Sequence, residues 1–280
     1  MREIDVSKIK DAVKDLCLKA NLELRHDVVR AVKGALEKET APRARAILKS
    51  ILENARIAKK KRLPICQDTG MVMVYAEIGQ DVQLTGGYLK DAINAGVVEA
   101  YRKGCLRKSV VDDPLLRKNT GTNAPAAIFT DIVKGDRVRL VVSPKGFGSE
   151  NKSAVRMFNP TASIAEIKDF VMDVVRQAGP DACPPLVLGI GIGGTFEMAV
   201  ELSKKALMRP IDERNPKRHI ARLERELLKE INSLRVGPMG MGGKTTVLGV
   251  NILEYPTHIA GLPVAVNVSC HATRSAEIIL

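Results

Sequence analysis

The pattern of apolar and polar positions predicts a helical beginning for the chain. Residues 1 to about 60 follow helical spacing, with a second helix expected over about 41–60. One face of the first helix carries Val13, Leu16, Cys17 and Ala20. A proline and a polar turn end this region, and MVMVYAEI from Met71 then predicts a strand. We therefore expect a mainly helical layer over residues 1–60 that leads into a sheet.

The middle of the chain alternates between helical and strand patterns. Residues 88–102 carry a helical stripe, and residues 105–125 are rich in loop-forming residues. Residues 126–133 and 137–142 predict two strands that pair around the turn Lys134-Gly135-Asp136. The segment SPKGFGSENKS, which follows, is predicted to be a long loop.

The C-terminal part of the chain continues this mixture. Ser163 and Glu166 form a capping-box pattern at the start of a helix predicted over 163–178. Further elements are expected as a strand at 186–190, a helix from about 195, a helix at 218–234, and strands at 245–253 and 264–269. Because strands and helices mix throughout, the sequence predicts a single α/β (mixed α+β) domain over residues 1–280.

The chain is basic, with a formal net charge of +12 and a pI near 9.5. Such a charge suits a solvated surface, an acidic partner, anionic substrates or nucleic acid. Aromatic residues make up only 3% and Trp is absent, which argues against a stacking platform for single-stranded nucleic acid. No apolar run is long enough to cross a membrane, and MREIDVSKIK lacks the apolar core of a signal peptide. We therefore expect a cytoplasmic protein that binds neither nucleic acid nor membrane.

The five cysteines do not form a disulfide or zinc-finger pattern, because their number is odd, their spacings are long and no CxxC occurs. Cys66, Cys183 and Cys270 each lie at the boundary of a predicted element, where a side chain can face a shared site. Cys17 lies in the apolar stripe of a helix and is expected to be a small buried hydrophobe. Cys105 is ambiguous. On spacing alone, all five could instead be scattered buried thiols.

The neighbours of the three boundary cysteines favour a metal centre. Gln67 and Asp68 follow the first of them directly, and His271 and Arg274 follow the last. Thiolates beside carboxylate, imidazole and guanidinium groups suit a metal centre that also handles an anionic substrate. A [4Fe–4S] cluster held by three thiolates leaves one iron open, which can then act as a Lewis acid.

Five motifs together resemble a known enzyme family. They are PICQDTG, LRKSVVDDPLLRKNTGTNAP, SPKGFGSENKS, CPPLVLGIGIGG and VNVSCHATR, in this order. From about residue 10 to its C-terminus the chain resembles the α subunit of class I fumarases and L-tartrate dehydratases. The resemblance implies a hydro-lyase that reversibly hydrates fumarate to L-malate with the open iron of a [4Fe–4S] cluster.

The resemblance also implies a ligand set and a partner. Cys66, Cys183 and Cys270 match the cluster ligands, so that one iron is labile and not held by the protein. The chain stops ten residues after Cys270, and in the family the remaining active-site residues come from a β part. We therefore expect a separate β subunit, an α chain that is inactive by itself, and an α2β2 heterotetramer.

Further residues match positions that contact the substrate, a small dicarboxylate. Asp68 and His258 match catalytic positions, with Asp68 polarising a threonine of the β subunit. Gln67, Arg107 and Gly148 match contacts to the substrate carboxylates. The residue chemistry agrees, because a guanidinium can bind a carboxylate with two parallel hydrogen bonds and a carboxylate can orient a hydroxyl or accept its proton.

Two of these roles have plain structural alternatives. Arg107 lies in a basic run and could be a solvated surface arginine. His258, near a proline and a glycine, could be a satisfied structural histidine. The loop around Gly148 departs from the family pattern at Phe147, where a third glycine is expected.

Two glycine motifs favour rival functions. Gly189, Gly191 and Gly194 form a GxGxxG, typical of a dinucleotide-binding oxidoreductase, but no second strand ending in an acidic residue follows. The segment GMGGKT is similar to the end of a phosphate-binding loop, but Pro238 stands where the first glycine belongs and a strand follows. We expect these glycines to pack a helix on a strand or to let backbone approach the cluster.

Other candidates concern the class of protein and the substrate. A basic nucleic-acid-binding protein lacks support from a DNA-binding motif or a basic aromatic surface. L-tartrate dehydratase shares all five motifs, since malate and tartrate differ by one hydroxyl, and mesaconate is a third candidate substrate. Fumarate and malate are the substrates that we expect.

Overall fold

Eight helices and ten strands alternate along the chain and give the mixed α/β fold that the sequence predicts. The computed structural model describes all residues from Met1 to Leu280. The helices are α1 (Val6–Leu22), α2 (His26–Lys38), α3 (Pro42–Lys61), α4 (Leu89–Lys103), α5 (Phe147–Glu150), α6 (Ile164–Ala178), α7 (Phe196–Met208) and α8 (Arg218–Ser233). The strands are β1 (Arg2–Asp5), β2 (Met71–Gly79), β3 (Val82–Thr85), β4 (Ala127–Val133), β5 (Val138–Lys145), β6 (Ala154–Phe158), β7 (Leu186–Gly193), β8 (Val247–Tyr255), β9 (Leu262–Ser269) and β10 (Ala276–Ile279).

The chain divides into two compact units. Unit 1 consists of Met1–Arg25, Ala55–Phe147 and Arg274–Leu280, and unit 2 consists of His26–Asn54 and Gly148–Thr273. The helices of the N-terminal layer are shared between them, since α1 belongs to unit 1 and α2 to unit 2. The single-domain organisation expected from the sequence stays a prediction.

Unit 1 is built on a four-stranded sheet with the order β10-β5-β2-β4. Strand β2 pairs antiparallel with β5 and parallel with β4, while β10 adds to β5, and β1 and β3 form a separate parallel pair. Alternate residues of β2 enter the apolar core with α1 and α4, because successive strand residues point to opposite faces of a sheet. This core includes Ile9, Val13, Leu16, Val72, Val74, Ile93, Val97, Tyr101, Leu140 and Val142.

Unit 2 is built on a second four-stranded sheet with the order β6-β9-β7-β8. Strand β7 pairs antiparallel with β9 and parallel with β8. Leu188 and Ile190 of β7 join a core with α6 and α8, whereas Gly189 and Gly191 face the backbone of α7. Helix α7 therefore covers one face of this sheet, and α6 and α8 cover the other.

Most predicted elements with strong local signals are confirmed. The helix expected at 163–178 is α6, and Ser163 is its N-cap. The capping box is formed in both directions: the Ser163 N–H donates to Glu166 Oε2 at 2.8 Å, and the Glu166 N–H donates to Ser163 Oγ at 3.3 Å. No helix of the chain combines the length and the apolar character needed to cross a bilayer.

The hairpin predicted around Lys134-Gly135-Asp136 is wrong. Strands β4 and β5 do not pair with each other but with opposite edges of β2, which lies between them. The reason is that β2 is apolar on both faces and nearly buried throughout, so it takes the central place and needs a neighbour on each side. Strands β1, β6 and β10 were not expected, because four or five mostly exposed residues give too little alternation to detect.

Candidate active site

In unit 1, three of the predicted site residues lie on the turn that precedes β2. Gln67 is exposed, and Cys66 and Asp68 are partly exposed. The Asp68 carboxylate accepts one hydrogen bond at each oxygen, from the Gly70 N–H at 3.0 Å and from the Phe147 N–H at 2.9 Å. Two backbone donors therefore fix the orientation of this carboxylate, since charge-assisted hydrogen bonds are short and directional.

The departure from the family pattern at Phe147 does not disturb this arrangement. Phe147 contributes its backbone N–H to Asp68, and its side chain is 47% exposed. The preceding residue is the one that needs to lack a side chain, because a Cβ at Gly146 would lie 3.0 Å from Asp68 Oδ2. The carboxylate contact thus depends on Gly146 and on the backbone of Phe147.

Arg107 is attached to the same turn through its backbone. The Thr69 hydroxyl donates to the Arg107 carbonyl at 2.7 Å, and the buried Tyr101 hydroxyl donates to the Thr69 carbonyl at 2.6 Å. Burial raises the pKa of Tyr101, so the phenol stays a hydrogen-bond donor. The Arg107 side chain is exposed. Unit 1 therefore fastens the backbone of the Arg107 loop to the turn that carries Gln67 and Asp68, and the roles of these three side chains stay predictions.

Asn123 fastens the loop of Arg107 to the turn from the other side. This residue is fully buried and has a left-handed backbone, with φ of 66°. Its Nδ2 donates to the Gly70 carbonyl at 3.1 Å, and its Oδ1 accepts from the Ser109 N–H at 2.6 Å. One side chain thus ties both segments that carry predicted site residues.

Arg274, which the sequence singles out only as a guanidinium near Cys270, is an anchor of the turn that carries Asp68. It is only 4% exposed, and its guanidinium donates to the Asp68 carbonyl at 2.9 Å and to Asn21 Oδ1 at 3.1 Å. Asn21 in turn accepts the Ile65 N–H at 2.9 Å with its own carbonyl. Both ends of the Ile65–Asp68 segment are therefore anchored. The only sequence signal was the place of Arg274 in the last motif, four residues after Cys270.

In unit 2, Cys183 and Cys270 lie at the same edge of the sheet. Val187 near the start of β7 pairs with Ser269 at the end of β9, so the residues before β7 and after β9 leave the sheet together. His271 follows Cys270 and contacts the Cys183 carbonyl, with its N–H at 3.4 Å and its Nδ1 at 3.0 Å. The structure therefore brings these two predicted ligands to one place.

The turn of Cys183 is supported by the second glycine loop. Cys183 has φ of 54° and follows a short 3₁₀ helix at residues 179–182. The Met239 N–H donates to the Pro184 carbonyl at 2.8 Å, and a Cβ at Gly240 would lie 2.4 Å from the Cβ of Pro180. Close backbone packing therefore shapes this turn, together with the contact of the His271 ring with the Cys183 carbonyl.

The second glycine loop is not a phosphate-binding loop. Lys244 donates its Nζ to the Lys38 carbonyl at 3.0 Å and its N–H to Glu39 Oε2 at 2.6 Å. The element that follows is strand β8, as the sequence predicts. The lysine that would contact a phosphate is therefore bound within the protein.

The GxGxxG glycines pack a helix on a strand. A Cβ at Gly189 would lie 2.0 Å from the Ser203 carbonyl, and a Cβ at Gly191 would lie 2.0 Å from the Ala199 carbonyl. Strands β7 and β8 are parallel and joined through α7 and α8, a crossover that the sequence did not reveal. However, both glycines lie inside β7 rather than in the turn after it, where a dinucleotide would need them. One of the two roles expected for these glycines, helix packing, is thus confirmed.

Gly148 lies near the turn of Cys183, whereas His258 does not. Gly148 is exposed, and an added Cβ would lie 4.0 Å from the carbonyl oxygen of Asp181, two residues before Cys183. His258 is exposed in the turn after β8, where its Nδ1 accepts the Ala260 N–H at 3.1 Å. This turn adjoins the C-terminal end of β7, whereas Cys183 precedes its N-terminal end. At about 3.3 Å per residue, the length of β7 separates His258 from the two cysteines by roughly 20 Å.

The five cysteines differ in their exposure to solvent. Cys17 is fully buried in the core of unit 1, and burial raises the pKa of its thiol, as expected for a packing residue. Cys66 and Cys270 are partly exposed, and Cys105 and Cys183 are exposed. Neither unit by itself gathers three Cys, His, Asp or Glu side chains at metal-binding spacing. Cysteine thiolates are the usual ligands of iron–sulfur clusters, so the donor chemistry of Cys66, Cys183 and Cys270 fits such a group.

A mixed α/β chain with accessible cysteines on turns and a carboxylate oriented by two backbone N–H groups carries the kinds of group that an enzyme active site uses. The chain belongs to the fumarate hydratase (Fumerase) family, whose family model it matches over residues 10–279. The activity of this family is that of a hydro-lyase.

Relatives in the same family include α subunits of another hydro-lyase. The chain is 42% identical over 276 residues to a protein of Methanocaldococcus jannaschii described as a putative L(+)-tartrate dehydratase subunit alpha, and the match covers 96% of each chain. It is 30% identical over 278 residues to the L(+)-tartrate dehydratase subunit alpha of Escherichia coli O157:H7, covering 98% of this chain and 91% of the relative.

Proposed function

We propose that the chain is the α subunit of an iron–sulfur hydro-lyase that adds water to, and removes it from, a four-carbon dicarboxylate. The observation that carries this proposal is the turn 66–70, where a candidate ligand, an oriented carboxylate and the loop of Arg107 are fastened together. The family match supports the reaction class. Fumarate and L-malate are the proposed substrates, and L-tartrate is the second candidate because both relatives above are described as tartrate dehydratases.

The proposed cofactor is a [4Fe–4S] cluster held by Cys66, Cys183 and Cys270. When bound, this group supplies an open iron that serves as a Lewis acid for the leaving hydroxide. The protein's own contribution is to present thiolates from turns rather than from packed elements. Cys66 follows an anchored residue, and Cys183 and Cys270 are joined through the contacts of His271.

The polar residues of unit 1 bind and orient the substrate. Arg107 offers a planar fork of donors for one carboxylate, and Gln67 offers an amide beside it. Asp68 is oriented by two backbone N–H groups and accepts a proton from, or polarises, a hydroxyl supplied by another chain. Gly148, exposed and without a side chain, leaves its backbone open to a carboxylate.

A second chain is required by this proposal. The relatives are described as α subunits, so we assign the remaining acid–base and substrate-binding groups to a β subunit. His258 does not lie beside Cys183 and Cys270, because it is at the opposite end of β7. We therefore assign His258 to the site of a neighbouring α chain, which the proposed α2β2 arrangement provides.

The cluster is tested by anaerobic reconstitution of the chain, followed by counting of iron and acid-labile sulfide. We expect about four irons per chain. The variants Cys66→Ser, Cys183→Ser and Cys270→Ser should each lose them, while Cys105→Ala, which changes another exposed cysteine, should retain them. Full iron content in any of the three serine variants would contradict the ligand assignment.

The reaction is tested with the reconstituted α chain and a β chain from the same organism. Fumarate formation from L-malate and oxaloacetate formation from L-tartrate are followed in parallel, and the larger kcat/KM identifies the substrate. Activity in the complex and none in the α chain alone is the expected result. A complex that carries the cluster and dehydrates neither acid would contradict the proposed function.

A further inference from the structure

The loop between α4 and β4 presents two large apolar side chains to solvent. Leu115 is 88% exposed and Leu116 is 82% exposed. Soluble proteins tolerate isolated exposed leucines, but adjacent leucines at the tip of a projecting loop are typical of an anchor for a partner. Neither leucine belongs to the core of unit 1.

The tip has a defined conformation that keeps both leucines outside. Asp113 Oδ1 accepts the N–H groups of Leu115 and Leu116, each at 2.7 Å, and the Asp113 carbonyl accepts the Arg117 N–H at 2.9 Å. Below the tip, the Asp112 N–H donates to the Lys118 carbonyl at 2.9 Å. A preformed anchor loses less conformational entropy on binding than a disordered one.

The base of this loop is continuous with the site residues of unit 1. The Thr120 N–H donates to the Val110 carbonyl at 2.9 Å, which closes the base of the loop. Immediately below, Asn123 and Thr69 fasten the loop to the turn of Asp68 and to the Arg107 carbonyl. A chain that covers the leucines therefore also reaches the neighbourhood of Arg107 and Asp68.

The charge around the tip is positive. Arg107, Lys108, Arg117 and Lys118 are all exposed. Of the two aspartates in the loop, Asp113 is engaged by the backbone of the tip. A matching surface would therefore offer an apolar socket bordered by carboxylates. A second copy of this loop would instead place cations against cations in a two-fold contact, which disfavours self-association here.

We propose that Leu115 and Leu116, with the basic residues around them, form the docking anchor for the β subunit. This inference rests on the proposed function, because it is the β subunit that must approach Arg107 and Asp68 to complete the site. The anchor inserts into an apolar socket of the partner, and the basic residues pair with acidic groups at its border. The loop thus couples assembly to completion of the active site.

The test compares binding of the β chain by wild-type α and by the double variant Leu115→Ser/Leu116→Ser, using titration calorimetry. Each leucine that the partner buries adds to the affinity, so loss of both should raise the dissociation constant roughly 100-fold or more. The control is Ile132→Ser, which changes a 65% exposed residue of unit 1 on β4. We expect this control to bind within about threefold of wild type.

Two further readouts separate docking from other effects. Thermal unfolding and the iron content of the reconstituted double variant should equal those of wild type, and saturating β chain should restore its kcat. Lys118→Glu should weaken binding at low salt and much less at high salt. Both results would support the anchor.

Three outcomes would overturn the inference. If the double variant binds the β chain as wild type does while both complexes are active, the anchor is wrong and the proposed function stands. If wild-type α alone forms dimers that the double variant abolishes, the leucines serve contacts between copies. If wild-type α binds no β chain at all, the inference and the α-subunit assignment both fail.

Discussion

The two units of the chain hold their candidate site residues by different physical means. In unit 1, buried polar side chains hold the turn 66–70: Tyr101, Asn123 and Arg274 each hydrogen-bond to its carbonyls. In unit 2, the turn of Cys183 is shaped by backbone hydrogen bonds and by a glycine that packs against a proline. The buried side-chain hydrogen bonds of unit 1 fix the orientation of the polar groups on the turn. The backbone packing of unit 2 brings chain segments close together.

This difference matches what each site part must do. In the proposed function Gln67, Asp68 and Arg107 present polar groups to a substrate in fixed directions, and buried partners that cannot rearrange suit such a role. Cys183 and Cys270 need only to leave the sheet at the same edge, which strand register and close packing achieve. The turn 66–70 should therefore be sensitive to loss of its hydrogen bonds, and the glycine contacts of unit 2 should be sensitive to added volume.

The largest effect is expected for added volume in unit 2. Gly191→Ala places a Cβ 2.0 Å from the Ala199 carbonyl, so α7 must move away from β7. We expect the free energy of unfolding to fall by about 3 kcal/mol. In contrast, Gly34→Ala adds a methyl group where nothing lies within 4 Å and should raise stability by about 0.5–1 kcal/mol. Urea unfolding measures both, and equal changes would refute the volume argument.

The next largest effect concerns the buried donor of unit 1. Arg274→Gln removes the guanidinium that serves the Asp68 carbonyl and Asn21 Oδ1. Buried acceptors without donors are costly, so we expect a loss of about 2–3 kcal/mol in urea unfolding. The control is Arg139→Gln on β5, whose partners Glu77 and Glu277 are partly exposed. It should cost less than about 1 kcal/mol, and similar losses for both variants would contradict the assigned role of Arg274.

Elements of the fold could be predicted where the sequence pattern that specifies them is local. Helix α6 and strand β2 were found because a capping box and an apolar run are local patterns. The pairing of β4 and β5 was predicted wrongly, because strand order depends on which strand is buried on both faces. The turn residues at 134–136 favoured a hairpin. However, β2 is buried on both faces and lies between β4 and β5, so these two strands pair with β2 and not with each other.

In the candidate site, too, contacts between residues far apart along the chain could not be predicted from the sequence. The motif around Cys66 could be recognised from the sequence, but its anchors lie far away along the chain: Asn21 belongs to no motif, and Asn123 belongs to a motif that gives no sign of this contact. The distance of His258 from Cys183 could not be predicted either, since it follows from the register of β7 with β8. Sequence thus indicates which residues carry chemistry, and topology decides which of them can act together.

A smaller change in stability is expected at Asn123, where two variants distinguish backbone strain from the loss of hydrogen bonds. Asn123→Gly removes the side-chain bonds to Gly70 and Ser109 but keeps the left-handed backbone, whereas Asn123→Ala loses both. We expect the alanine variant to be less stable than the glycine variant by about 1 kcal/mol. Thermal unfolding of the two variants measures this difference. The opposite order would show that the φ of 66° is not a constraint at this position.

The smallest effect lies on the surface of unit 1 and depends on pH. Hydrogen bonds from Lys103 and Lys10 lower the pKa of Glu99 to about 2. A carboxyl whose pKa is depressed on folding adds stability above its ordinary pKa, and that stability is lost as pH falls toward the folded value. Glu99→Gln should therefore lower stability at pH 7, and its difference from wild type should shrink between about pH 4 and pH 2.

The control for this prediction is Glu37→Gln, which changes an exposed glutamate of α2 in unit 2. It should change the unfolding midpoint little at either pH. Because Glu99 of α4 pairs with Lys10 of α1 and with Lys103 of its own helix, its variant tests whether charge at the surface supports the contact between these two helices. A pH-independent loss in Glu99→Gln would mean that packing, and not the ion pairs, is what this residue contributes.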